Sequence, residues 1–129
     1  MEYKELIEKA YEALEKAYVP YSDFKVGAAL LTESGEVFTG CNIEIASFGA
    51  TNCAERTAIF KAISEGHRRF KAIAVVSSSK DFTYPCGICR QVIVEFGKDI
   101  DIIVAKDYDY EVYKIDDLLP KSFTSIDIK

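Results

Sequence analysis

Two apolar runs in the second half of the chain leave no face for water. Phe70 to Ser77 carries Ile73, Ala74, Val75 and Val76 in succession, and Ile100 to Ala105 is almost as continuous. A strand with one wet face alternates apolar and polar residues, so runs like these fit strands covered on both sides. Each follows a segment with helical apolar spacing that stops at a glycine. The first, Cys53 to Glu65, repeats Ala54, Ala58, Ile59, Ala62 and Ile63 before Gly66, and the second, Cys86 to Phe96, ends before Gly97. The strand, helix, strand order implies a parallel pair with a right-handed crossover.

The flanking segments complete a sheet. Residues 3–18 read as an amphipathic helix on Leu6, Ile7, Ala10, Leu14, Ala17 and Tyr18, closed by Pro20. Phe24 to Thr32 and Glu36 to Cys41 form a hairpin across Glu33-Ser34-Gly35, and residues 42–51, with no period, form a loop. Glu111 to Ile115 is a short edge strand, followed by a helical turn over Asp116 to Leu119. The expected fold is α/β, a three-layer α/β/α arrangement with one mixed five-stranded sheet between helices. With 129 residues, no internal repeat and no linker, residues 1–129 are expected to form a single domain.

Charge narrows the partners. Sixteen basic against 21 acidic residues give a net charge of -5, and the densest basic cluster is only His67-Arg68-Arg69. Such a chain repels phosphate backbones, so nucleic acid is not an expected partner. The first ten residues lack the apolar core of a secretory signal, and the longest apolar run, Val26 to Leu31, is far too short to span a membrane. Four cysteines in such a chain point to a reducing cytoplasm and to metal or catalytic roles for the thiols.

Three of those cysteines fall at helix beginnings. Cys53 opens one helix, and Cys86 and Cys89 share the first turn of the next. The expected topology starts both helices at one edge of the sheet, so three thiolates can converge with one coordination position left over, as at catalytic zinc. Glu55 stands two residues past Cys53, within reach of that position. Other readings of the same residues exist. Cys86-Gly-Ile-Cys89 also fits a thiol-disulfide pair, although Cys53 is then idle. A four-cysteine structural site would have to recruit Cys41, which lacks a close partner. Glu55 could be the carboxylate of a capping box with Asn52. Ser-His-Asp hydrolysis is disfavoured, because the one histidine, His67, follows a helix end among charged residues.

Cys53-Ala-Glu55-Arg56 with Pro85-Cys86-Gly-Ile-Cys89-Arg90 resembles the zinc nucleoside deaminase pattern in its three-cysteine form. Tyr18 to Ala29, Gly40-Cys-Asn42-Ile-Glu44 and Leu118 to Phe123 are similar to segments of the homotetrameric cytidine deaminases. The resemblance implies one Zn²⁺ per chain on Cys53, Cys86 and Cys89, and hydrolytic deamination of cytidine and 2′-deoxycytidine with Glu55 as proton shuttle. It implies Asn42 and Glu44 on the ribose hydroxyls, the Ala54 main chain and Phe24 ring near the pyrimidine, and Arg56 hydrogen-bonded to the thiolates. Phe123 would reach a neighbouring subunit's site, and pyrimidine salvage in the cytoplasm is the implied setting. Two positions depart from the family pattern: Ile45 replaces a usual asparagine and Phe48 a common tyrosine. They leave room for a modified cytosine nucleoside such as blasticidin, and a zinc-stabilised module without catalysis is the rival of another class.

Overall fold

A computed structural model of the protein describes residues 1–79 and 81–128; Lys80 and Lys129, within the expected domain limits, lie outside the described residues. Helix α1 spans Tyr3–Leu14, strands β1 and β2 span Val26–Thr32 and Val37–Cys41, and α2 spans Ala54–Ser64. Then follow β3 (Phe70–Ser77), α3 (Gly87–Phe96), β4 (Asp101–Lys106), β5 (Asp109–Tyr113), and short helices α4 (Ile115–Leu118) and α5 (Ser125–Ile128). The five strands form one sheet in the order β2-β1-β3-β4-β5. Only β3 and β4 are parallel, with Ile73 opposite Ile102 and Val75 opposite Val104; the other pairs are antiparallel.

Helices cover both faces of the sheet, which is why its middle strands carry no polar face. On one side Leu6, Ile7, Ala10 and Leu14 of α1 pack on Ala29, Leu31, Ala72, Ala74 and Val76. On the other, Ala58 and Ile59 of α2 and Ile93 of α3 pack on Ala28, Leu30, Ile73, Val75 and Ile102. This is the expected three-layer fold. Because α2 leads back to the start of β3 and α3 departs from its end, both helices begin at the same edge of the sheet.

The boundaries differ from the sequence reading where tertiary hydrogen bonds capture the backbone. Helix α1 stops at Leu14 rather than residue 18, because Tyr18 is drawn into pairing with the loop after β2. Its N–H donates to the Asn42 carbonyl at 3.0 Å and its carbonyl accepts from the Glu44 N–H at 2.8 Å. Strand β5 begins at Asp109 rather than Glu111. Asp107 takes a left-handed φ of 53° and its N–H donates to the Tyr11 hydroxyl at 2.7 Å, so a two-residue turn suffices to pair Lys106 with Asp109. The loop 42–51 contains a 3-10 turn over Phe48–Ala50, and α5 was not anticipated. There Asp127 accepts from the Thr124 N–H at 2.7 Å, a short-range cap without an apolar period to announce it.

Candidate active site

Cys53 and Cys86 are the last extended residues before α2 and α3, and Cys89 lies in the first turn of α3. The three sulfurs all lie within 4.8 Å of one another, and Cys53 Sγ is 3.5 Å from Cys86 Sγ. Thiolates bound at about 2.3 Å around a tetrahedral ion stand roughly 3.8 Å apart, so this cluster has the dimensions of a zinc site. Its burial is graded. Cys89 is buried, Cys53 half-buried and Cys86 exposed, so a metal held by them would have protein on one side and an open side on the other. The convergence of Cys53 disfavours the two-cysteine redox reading, in which that residue has no task. Cys41 stays outside the cluster, half-buried on β2 opposite Gly27, so the four-cysteine structural site is not formed among the described residues.

The thiols are electrostatically coupled. A hydrogen bond from Cys89, helped by Arg56, draws Cys53 down to about 5 against the opposing effect of burial. The same bond and burial push Cys89 up. Arg56 donates from Nη2 to Cys53 Sγ at 3.2 Å. Burial works against the Arg56 charge, but its hydrogen bonds to Cys53 and Cys89 outweigh that and hold its pKa above the usual value. The Arg56 Nε is buried without a protein partner.

Glu55 is only 4% exposed. Its carboxyl is pushed up to about 7, chiefly by burial and further by the charge of Cys53, against the opposing effects of its own N–H, Cys89 and Arg56. The capping-box reading fails on position. With Cys53 as the capping residue, the third helical position that a capping box requires is Arg56, and no side chain caps α2. A buried carboxyl that titrates near neutrality beside a metal-sized thiol cluster suits acid and base work in turn.

The residues expected at the sugar gather on one side. Asn42 Nδ2 donates to the Phe24 carbonyl at 2.8 Å, and Asn42 Oδ1 accepts from the Val26 N–H at 2.9 Å. Glu44 accepts from the Tyr21 and Ser22 N–H groups at 3.1 and 3.0 Å and from the Ser22 hydroxyl. Tyr21, Ser22, Glu44, Phe48 and Thr51 line a pocket of about 330 Å³. Phe24 is 39% exposed and Phe48 78%, so neither ring is core. Ile45 is exposed beside this pocket, its N–H donating to the Thr51 hydroxyl at 3.0 Å. Ala54 is fully buried between Cys53 and Glu55.

Phe123 lies apart from that pocket. It is exposed, and its carbonyl accepts from Gln91 Nε2 at 3.0 Å. Arg90 is structural, donating from Nε to the Pro85 carbonyl at 2.7 Å and from Nη1 to the Leu118 carbonyl at 2.6 Å. His67 pairs with Glu36 at 2.7 Å, beyond the opposite end of α2. Sequence reasoning gave no separate role to Ser22, Tyr21 or Thr51, because small polar and aromatic residues in loops carry no periodic signal.

Residues 1–106 match the family described as the cytidine and deoxycytidylate deaminase zinc-binding region. The chain belongs to that family. It is 48% identical over 130 residues to the cytidine deaminase of Sporosarcina psychrophila, covering 99% of this chain and 96% of the relative. A solved cytidine deaminase from Burkholderia pseudomallei superposes with a TM-score of 0.91 at 50% identity, covering 95% of this chain and all of the other. The blasticidin-S deaminase of Bacillus cereus is more distant, at 32% identity over 122 residues. The family is zinc-binding, and zinc is the cofactor that the three clustered thiols fit.

Proposed function

We propose that the protein hydrolyses cytidine and 2′-deoxycytidine to uridine and 2′-deoxyuridine, releasing ammonia, as a cytoplasmic homotetramer of single-domain chains in pyrimidine salvage. The observation that carries this reading is the buried Glu55 carboxyl, poised at about 7 beside the cluster of Cys53, Cys86 and Cys89. Those cysteines would hold one Zn²⁺, which as a Lewis acid makes water a competent nucleophile at neutral pH.

Each remaining step belongs to a side chain. Glu55 accepts one proton from the attacking water and delivers it to N3 of the ring. It then takes the second from the oxygen now bonded to C4 and passes it to the amino group, which leaves as ammonia while C4 keeps the oxygen as its carbonyl. Three thiolates outnumber the two charges of the ion. The N-termini of α2 and α3, each equivalent to roughly half a positive charge, and Arg56 offset the excess. Asn42 and Glu44 hold the ribose hydroxyls, the Phe24 ring packs by the base and the Ala54 main chain borders it. Phe123 completes the site of a neighbouring copy.

The decisive experiment is ammonia release from cytidine by zinc-loaded protein with Glu55→Gln alongside. The parent is expected to turn over and the variant to fall by about 10²–10⁴-fold with fold and zinc retained. Full activity in the variant would overturn the mechanism. An inactive parent holding one zinc per chain would redirect the search to other cytosine nucleosides.

A further inference from the structure

Asn42, Phe24 and Glu44, proposed to meet the nucleoside, form one hydrogen-bonded chain in which Ser22 is the link between Phe24 and Glu44. Ser22 Oγ accepts from the Phe24 N–H at 3.0 Å, and its hydroxyl proton goes to Glu44 Oε2. The Phe24 carbonyl in turn accepts from Asn42 Nδ2 at 2.8 Å, and Asn42 is fixed to the start of β1 through the Val26 N–H. The hydroxyl of Ser22 thus stands between the Glu44 carboxylate and the Phe24 main chain, as donor to the first and acceptor from the second. An ionised carboxylate offers about four acceptor positions. The Tyr21 N–H, the Ser22 N–H and the Ser22 hydroxyl occupy three of them. Among the described residues no donor takes the fourth position, and its direction is set by the other three.

We infer that Ser22 is a positioning residue for the reaction: its hydroxyl aims the remaining acceptor of Glu44 at a 2′ or 3′ sugar hydroxyl. This rests on the proposal that Glu44 meets the sugar. The turn carrying Ser22 is exposed and is closed by the Asp23 N–H, which donates to the Val19 carbonyl at 3.0 Å, with Asp23 at a left-handed φ of 57°. Neither feature orients the Glu44 carboxylate. Without the hydroxyl, the carboxylate keeps two main-chain donors on one oxygen and loses the bond that fixes the other.

The test compares cytidine with 2′,3′-dideoxycytidine, which lacks the 2′ and 3′ hydroxyls, in zinc-loaded parent, Ser22→Ala, Ser22→Thr and Glu44→Ala proteins. Ser22→Ala is expected to raise KM for cytidine about tenfold, the value of one hydrogen bond to a charged group, with kcat unchanged. KM for the dideoxy compound should stay where it is, and Ser22→Thr should restore the parent value for cytidine. A general loosening of the loop would instead raise KM for both compounds or lower kcat, and would overturn the proposal. An unchanged or lower KM for cytidine in Ser22→Ala would overturn it as well. Glu44→Ala separates the two levels. If that variant still distinguishes the two compounds as the parent does, the sugar contact of Glu44 is wrong. If it loses the distinction while Ser22→Ala keeps it, only the role of Ser22 is wrong.

Discussion

A methyl group on Gly40 would stand 2.5 Å from the carbonyl oxygen of Ala54 and 2.5 Å from the nitrogen of Ala58. Both are main-chain atoms of α2, so no side-chain rotation relieves the clash and the helix itself must lift from β2. That helix starts directly after Cys53 and carries Glu55 in its first turn, the two residues proposed for metal binding and proton transfer. Gly40→Ala is therefore expected to destabilise the zinc-loaded protein by about 3 kcal/mol, the upper part of the usual overpacking range. Its kcat/KM should fall further than the unfolded fraction explains. Denaturant melts and kinetics on one preparation check both, and a variant with parental stability would show that α2 is not pressed on the sheet. The sequence contained Gly40 within a family-like segment, but no local rule there asks for glycine. The requirement comes from a helix packed across the sheet. The thiol cluster is legible for the opposite reason: cysteines at helix starts announce themselves by type and spacing. Glu55 was legible as a residue and ambiguous in role until the helix boundary placed Arg56, not Glu55, at the capping-box position.

At the scale of elements, side chains on separate segments set how the sheet and its coverings join. Asp101 at the start of β4 accepts from the Tyr3 hydroxyl on α1 and from Lys114, which follows β5. Burial pushes its pKa up, but the bonds from Lys114 and Tyr3 outweigh that and hold the carboxyl below its ordinary value. A depressed carboxylate stabilises the fold above its unfolded pKa, and the contribution disappears as pH falls through the folded one. Asp101→Asn should therefore cost about 1 kcal/mol at pH 7 and progressively less as pH falls through the carboxylate range. Urea melts across that range test the sign. A penalty that grows toward acid would contradict it. Neither partner of Asp101 lies near it in sequence, so the link was illegible there, as was the bridge from Arg90 to Pro85 and Leu118. The core elements were legible because burial on both faces leaves its mark on every residue of a strand. The end of α1 and the start of β5 are not legible in the sequence because tertiary hydrogen bonds, two at Tyr18 and one at Asp107, decide them.

For the whole molecule, the apolar surface left uncovered bears on how sites are completed. Phe60, Ile88, Val92 and Phe96 line an open groove between α2 and α3, and Ile88 lies between two of the metal ligands at 61% exposure. Phe123 is 58% exposed nearby in the fold, tied to Gln91 of the same helix. Apolar area of this kind suits contact between copies, and the proposed homotetramer would have to bring each chain's C-terminal segment to another chain's site. If Phe123 acts across that boundary, two crippled chains can repair each other. A Phe123→Ala chain keeps its own Glu55 and can borrow Phe123 from a Glu55→Gln neighbour. Each homogeneous variant should be nearly inactive on cytidine, whereas subunits mixed in equal amounts and allowed to exchange should regain activity at ~a quarter of the sites, the share expected for random neighbours in a closed oligomer. A residue working within its own chain allows no such recovery, because every hybrid site then lacks either the glutamate or the ring. Sedimentation of the mixture shows whether copies have assembled, so a silent but assembled hybrid would place Phe123 outside its neighbour's site.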